Sequence, residues 1–238
     1  MTSLFLLAGL LTGFASETPT PPGPPTPPGP GTPPVLTLKA ARALPPGSTV
    51  TVRAVVINGT EMGNIRYVQD ADAGLALYAQ PAKLAGFAEL RAGDSIQVTG
   101  QLKVYNGLTE MDPIASFHKL ASGVRVRALQ VPAERATEAF VEANESRLLE
   151  IKGVTRLTTP TGSAATTLAG NSNYLLNGQS GGLVRIMSAS SGPEGLVDAP
   201  LPTEAFDVRG VLSQFAPSGL GGYQLMPQIG RASCRERV

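Results

Sequence analysis

The chain contains no Trp, one Cys, one His and few charges, only 16% of its 238 residues. Each scarcity excludes something. The lone Cys234 cannot form an internal disulfide. With His118 as the only histidine, neither a His-based acid–base pair nor a His/Cys zinc set can be assembled ahead of the last ten residues. The formal net charge of +1 gives no basic footprint for phosphate binding. The longest apolar run near the start, residues 4–15, is too short to span a bilayer.

Glycine and proline are abundant, with 27 and 21 residues. Frequent turns of this kind suit an all-β chain. Hydrophobic residues make up 42%, enough to build a core, and the length accommodates two small domains. Residues 1–16 (MTSLFLLAGLLTGFAS) have the apolar length of a signal peptide but lack its positive start. LLTGFAS also resembles a lipoprotein signal with Phe14 where the lipidated Cys would stand. The expectation is export, to the bacterial envelope or the medium. Residues 17–34 hold ten prolines and read as an extended polyproline tether reaching about 3 Å per residue. Residues 229–238 (IGRASCRERV) carry the only Cys and three Arg. They read as the translation of a sequencing-adapter read-through. Without them the net charge passes from +1 to −1, and the expectation is a truncated chain whose C-terminal catalytic domain is missing.

Between these ends the pattern is β. Residues 49–57 (TVTVRAVVI) alternate as a first strand. Residues 64–79 (NIRYVQDADAGLALYA) read as strand, acidic turn and strand, with β-formers flanking Asp70 to Gly74. Leu84, Phe87 and Leu90 have helical spacing, which predicts a short amphipathic helix over 81–90. Residues 95–105 form another strand, Asn106-Gly107 signals a type I′ hairpin, and residues 108–114 return. Three strands, a helix and two strands are the order of the OB-fold, a five-stranded Greek-key barrel. VTVRAVV, IRYVQD, GLALYA, GDSIQVTG and YNGLTE together resemble the OB-fold modules of secreted bacterial proteins, which recur beside extracellular nucleases.

The pattern then repeats. RLLEIKGV parallels TVTVRAVV, NYLLNGQSGGLVRIMSA parallels the hairpin, and EAFDVRGVLSQFAPSGLGGYQLMP parallels the last two strands. The reading is two tandem OB-fold-like barrels, residues 35–131 and 147–228, joined by a helix over 132–146. A monomer is expected.

No constellation for catalysis stands out, and no cofactor or metal is expected. His118 falls past the fifth strand. Asp70, Asp72 and Gly74 resemble the start of a calcium loop, but Pro81 follows where the bidentate Glu is needed, so turn chemistry accounts for them. Asp94, Glu110 and Asp112 lie at strand ends and turns with no glycosidase spacing. Gly178, Gly181 and Gly182 lack the Lys-Ser/Thr of a phosphate loop. If the resemblance holds, ligand binds across strands two and three, flanked by the 1–2 and 4–5 loops. That face would carry Arg66, Tyr67, Gln69 and Tyr78, with Tyr105 and Asn106 at the rim. Tyr174, Arg185 and Tyr223 are the counterparts in the second copy. Such side chains could stack and hydrogen-bond bases of single-stranded nucleic acid, or sugar rings. The alternative is that Tyr67 and Tyr78 pack the barrel. The expected function is a non-catalytic binding module that takes nucleic acid weakly. A structural or saccharide- or protein-binding spacer is the rival reading.

Overall fold

Strand β2 (Thr49–Val56) buries Val50, Val52, Ala54 and Val56 on one face, as its alternation requires. The structure, a computed structural model, describes residues 34–80, 83–188, 196–218 and 221–228. The signal-like segment, nearly all of the proline tract and the last ten residues lie outside them. A two-residue strand β1 (Val35–Leu36) runs parallel to β2, and helix α1 (Leu38–Arg42) follows. The side chain of Thr37 caps α1 by accepting from the amide of Ala40 at 3.2 Å. Strands β3 (Ile65–Gln69) and β4 (Gly74–Tyr78) form the central hairpin. In its turn, Asp70 accepts from the amides of Asp72 and Ala73, both at 2.9 Å. Its other oxygen accepts from the amide of Leu38 at 2.8 Å, so the acidic turn anchors α1.

Strands β5 (Ser95–Tyr105) and β6 (Leu108–Ala121) close the barrel. The ladder runs β2-β3-β4-β6-β5 and returns to β2, with β4 and β6 the only parallel pair in that circuit. This is a closed, five-stranded, OB-fold-like barrel. Gly100 lets β5 bend: a Cβ there would sit 2.6 Å from Met111 Cγ, and the register shifts beside it. Leu38, Val68, Leu75, Leu77, Ile96, Val98 and Met111 form its core.

The second sheet is a different arrangement from the closed barrel expected there, although many of its pairings follow the same order. Its strands are β7 (Leu129–Pro132), β8 (Leu148–Val154), β9 (Leu157–Thr158), β10 (Ser172–Leu176), β11 (Leu183–Ile186), β12 (Phe206–Gln214) and β13 (Tyr223–Pro227). They lie in the open order β7-β8-β12-β13-β11-β10-β9. The first barrel strand is split: β8 pairs with β12, and β9, two residues further on, pairs with β10. Gly153 at φ +74° and a bulge between Phe206 and Val208 mark the break. Asn177 bridges the gap, accepting from the amides of Thr155 and Arg156. The order of ladders otherwise matches the first barrel, including one parallel pair, β11 with β13. The lead-in repeats too, since β7 runs parallel to β8 as β1 does to β2.

Three expected elements differ. The amphipathic segment before β5 is not helical over its described residues. Successive turns occupy 83–90, because Gly86 takes φ +79°. Phe87 and Leu90 still reach the core, since each turn advances three residues as the spacing did. The stretch 132–146 is not one helix. It breaks into a 3-10 turn at Ala133–Arg135, helix α2 (Ala136–Ala139) and a second 3-10 turn at Glu142–Asn144. The fifth strand runs past residue 114 to Ala121, so His118 lies within β6, opposite Gln97 and exposed. No described helix is long and apolar enough to cross a membrane.

The barrel and the second sheet belong to one compact unit, and Gly74 shows how closely the barrel approaches the segment leading into β8. A Cβ on Gly74 would stand 2.2 Å from the carbonyl oxygen of Ser146. Backbone cannot yield there as a flexible side chain would. Gly74→Ala is therefore expected to lower stability by about 2–3 kcal/mol, read as a fall in the urea midpoint with an unchanged slope.

Candidate functional site

Alternation along β3 divides the expected ligand residues between two directions. Arg66 and Val68 point into the first barrel, while Ile65, Tyr67 and Gln69 point out. Arg66 is fully buried. It donates to the carbonyls of Leu90 (3.2 Å), Gly63 (2.9 Å) and Ala88 (2.9 Å), and lies 5.8 Å from the centre of the Phe87 ring. It staples the turns before β5 to the barrel from within, away from any exposed face.

The outward side chains are buried as well, by the second barrel. The hydroxyls of Tyr67 and Ser213 are 2.7 Å apart. Gln69 accepts from the amide of Leu148 at 2.8 Å and donates to the carbonyl of Arg127 at 3.3 Å. Ile57, Met62, Ala76 and Leu108 of the first barrel and Leu148, Val211 and Met226 of the second complete an apolar seam. The expected open face at Arg66, Tyr67 and Gln69 is thus corrected. The strand 2–3 surface of the first barrel is an internal interface, and desolvation pushes the Tyr67 phenol up from its ordinary pKa.

Beside the seam lies a buried acid. The Glu145 side chain is wholly inaccessible. One oxygen accepts from Arg42 Nη1 at 2.9 Å and from the amide of Thr109 at 3.1 Å; the other has no partner among the described residues. Arg42 also pairs with Glu142, which accepts from the Tyr223 hydroxyl at 3.1 Å. One guanidinium thus serves two carboxylates. Burial pushes the Glu145 carboxyl up to about 7, partly opposed by Arg42. A proton on the unpartnered oxygen suits that site.

The other expected residues scatter. Tyr174 is buried, its hydroxyl accepting from the amide of Ala169 at 2.7 Å. Arg185 lies across the β10–β11 ladder from Asn173 and is held by that side chain and by Asn171. Tyr223 is half-buried and packs against the second core. Tyr78 is half-buried at the end of β4. Only Tyr105 stands well out, 56% exposed, beside Asn106 in a turn whose φ values of 50° and 91° at Asn106 and Gly107 fit type I′.

Two features were missed. Phe215, 55% exposed, follows β12 next to the hairpin tip that carries Tyr105. Its signal was present: an aromatic ahead of a Gly/Pro-rich turn, as Tyr105 is ahead of Asn106-Gly107. The second feature is a cleft of about 320 Å³ between the barrels, lined by Ile57, Val124, Leu148, Gln228 and two arginines, Arg125 and Arg209. Among the described residues neither arginine side chain has a hydrogen bond or ion pair. Nothing in the sequence brings those two positions together. Among the described residues no three His, Cys, Asp or Glu side chains gather as a metal site.

Removing one hydroxyl from the seam strands the other. Tyr67→Phe and Ser213→Ala are each expected to cost about 1–2 kcal/mol by chemical denaturation, and the double variant less than their sum. The acid makes a separate expectation. Its folded carboxyl titrates near 7 and an unperturbed one near 4.5, so the native state holds the extra proton. This contribution is full below pH 4.5 and is lost as pH rises through 7. Glu145→Gln should flatten that part of the stability–pH curve, as measured by melting temperature across the range.

No family model matches the chain, and no curated protein does. Among solved structures it is similar to that of the hypothetical protein ygiW from E. coli, at 17% identity and a TM-score of 0.32, over 36% of this chain and 89% of that one.

Proposed function

We propose that the chain is a non-catalytic spacer and binding module of an exported bacterial protein, one that works as a single rigid two-barrel body. The observation that carries this is the Tyr67–Ser213 seam, in which the face of the first barrel that could have read a ligand is spent on holding the second. A chain built to read two independent ligands would leave both faces open. The buried hydrogen bonds of Gln69 and the Arg42–Glu145 pair fix the register between barrels. Any ligand surface therefore lies elsewhere, on the hairpin tips or in the cleft.

Weak binding of single-stranded nucleic acid, in the service of a nuclease, is the second reading. One observation favours it: the Arg125 and Arg209 side chains in the cleft, which have no partner among the described residues. Against it, Tyr67 and Tyr174 are buried and cannot stack on bases, and the balanced charge releases few counterions. Fluorescence anisotropy with a labelled oligothymidylate separates the two. At physiological salt no saturable binding is expected. Micromolar binding that steepens at low salt and disappears in the Arg125→Ala/Arg209→Ala double variant would reverse the ranking.

A further inference from the structure

We propose that the cleft between the barrel and the second sheet binds a small aliphatic carboxylate, with Arg125 and Arg209 as its two cationic contacts. The inference rests on the reading of the chain as a binding module and names the ligand class for it. The cleft holds about 320 Å³, at the small end of ligand pockets, and lies at an internal interface, where such pockets gather. Arg209 reaches it by the alternation of β12. Ser213 and Val211 face the barrel within the seam, and the next residue on that side is Arg209. The row that is buried at 213 and 211 is exposed at 209. Arg125 reaches the cleft from the other side, on the segment that leaves β6.

The backbone on both sides is pinned. The amide of Val124 donates to the carbonyl of Gly93 at 2.9 Å, and that of Gly93 to the carbonyl of Val56 at 2.8 Å. Gly93 takes φ +93°, and a Cβ there would stand 3.3 Å from the Val124 carbonyl oxygen, so these segments pack backbone on backbone. Opposite them, the Gln228 amide donates to the carbonyl of Arg209 at 3.1 Å, and its side chain donates to the carbonyl of Ile57. The walls are thus set before any ligand arrives. The charge between them is uncompensated. Among the described residues no Asp or Glu lines the cleft. Glu150 stands opposite Arg209 on the β8–β12 ladder, but its oxygens accept from Lys152 at 3.4 Å and Gln130 at 3.2 Å. Two guanidiniums in one cleft with no carboxylate of the protein's own suit an anion. The rest of the lining selects which anion. Ile57, Val124, Val126 and Leu148 are aliphatic, and no aromatic side chain lines the cleft. Bases would find nothing to stack on. Inorganic phosphate would leave the aliphatic wall without a partner. A carboxylate on a short hydrocarbon chain satisfies both halves, with charge-assisted hydrogen bonds at the guanidiniums and apolar contact along the wall.

The test titrates the full, isotope-labelled chain with sodium hexanoate at constant ionic strength, followed by amide NMR. Inorganic phosphate, hexanol and oligothymidylate are the comparisons. Saturable shifts are expected at the amides of Gly123, Val124, Arg125 and Arg209, with a Kd of about 1 mM or tighter. Affinity should fall about tenfold or more in Arg125→Ala/Arg209→Ala, and phosphate and hexanol should each bind about tenfold or more weakly than hexanoate. Both side chains are exposed, so the melting temperature of the double variant should not move. Absence of saturable hexanoate binding up to about 20 mM overturns the site. So does phosphate or hexanol binding as tightly as hexanoate, or hexanoate binding that the double variant retains. Oligothymidylate binding more tightly than hexanoate at the same amides also overturns it. The rigid-body reading fails by a different result, two separate unfolding transitions in the wild-type chain, so the two failures cannot be confused.

Discussion

A single buried hydroxyl pair, Tyr67 with Ser213, marks the constraint on which the rest of the molecule depends. Around it, apolar side chains from both barrels exclude water, and in that setting neither hydroxyl can lose its partner cheaply. The seam therefore specifies position as well as contributing stability. It joins the strand 2–3 face of the first barrel to the outer side of β8, β12 and β13 in the second. Gly74, Gln69 and Arg42 all follow from that approach: a glycine where backbones nearly touch, an amide that satisfies a neighbouring strand, and a cation that meets two acids across the junction.

The same seam redistributes what the surface can do. Aromatic and arginine side chains that would make a stacking surface on an open barrel are instead structural. Arg66 satisfies carbonyls in the turns before β5, and Tyr67 and Tyr174 sit in cores with their hydroxyls partnered. What stays exposed is what the junction pushes outward: the paired hairpin tips with Tyr105 and Phe215, and the cleft with Arg125 and Arg209. The cleft is apolar along Ile57, Val124 and Leu148, with charge only at the two arginines.

Glu145 is the point of electrostatic tension in this arrangement. It lies fully buried, shares its one cation with Glu142 and keeps an oxygen without a partner. A buried ion pair of this kind is a weak source of stability, because desolvation offsets much of the attraction. Its clearer effect is on geometry, since Arg42 also donates to the carbonyl of Gly74 and so links α1, β4 and the approach to β8.

Period-two burial and turn chemistry are local, and the sequence carried them. The alternation of Thr49–Val56 and Ser95–Tyr105 and the Asn106-Gly107 turn were enough to determine a mostly β chain with a five-stranded barrel. Spacing without a breaker test misled at 83–90, where Gly86 turns a helical pattern into successive turns that bury the same residues. Which side of β3 meets solvent could not be read from the chain. Both sides of that strand are buried, one by its own barrel and one by the other, and a period of two cannot distinguish a ligand face from an interface. That choice belongs to the packing of the barrel against the second sheet, which depends on contacts between residues 67 and 213, or 69 and 148, far apart along the chain and matched only in three dimensions.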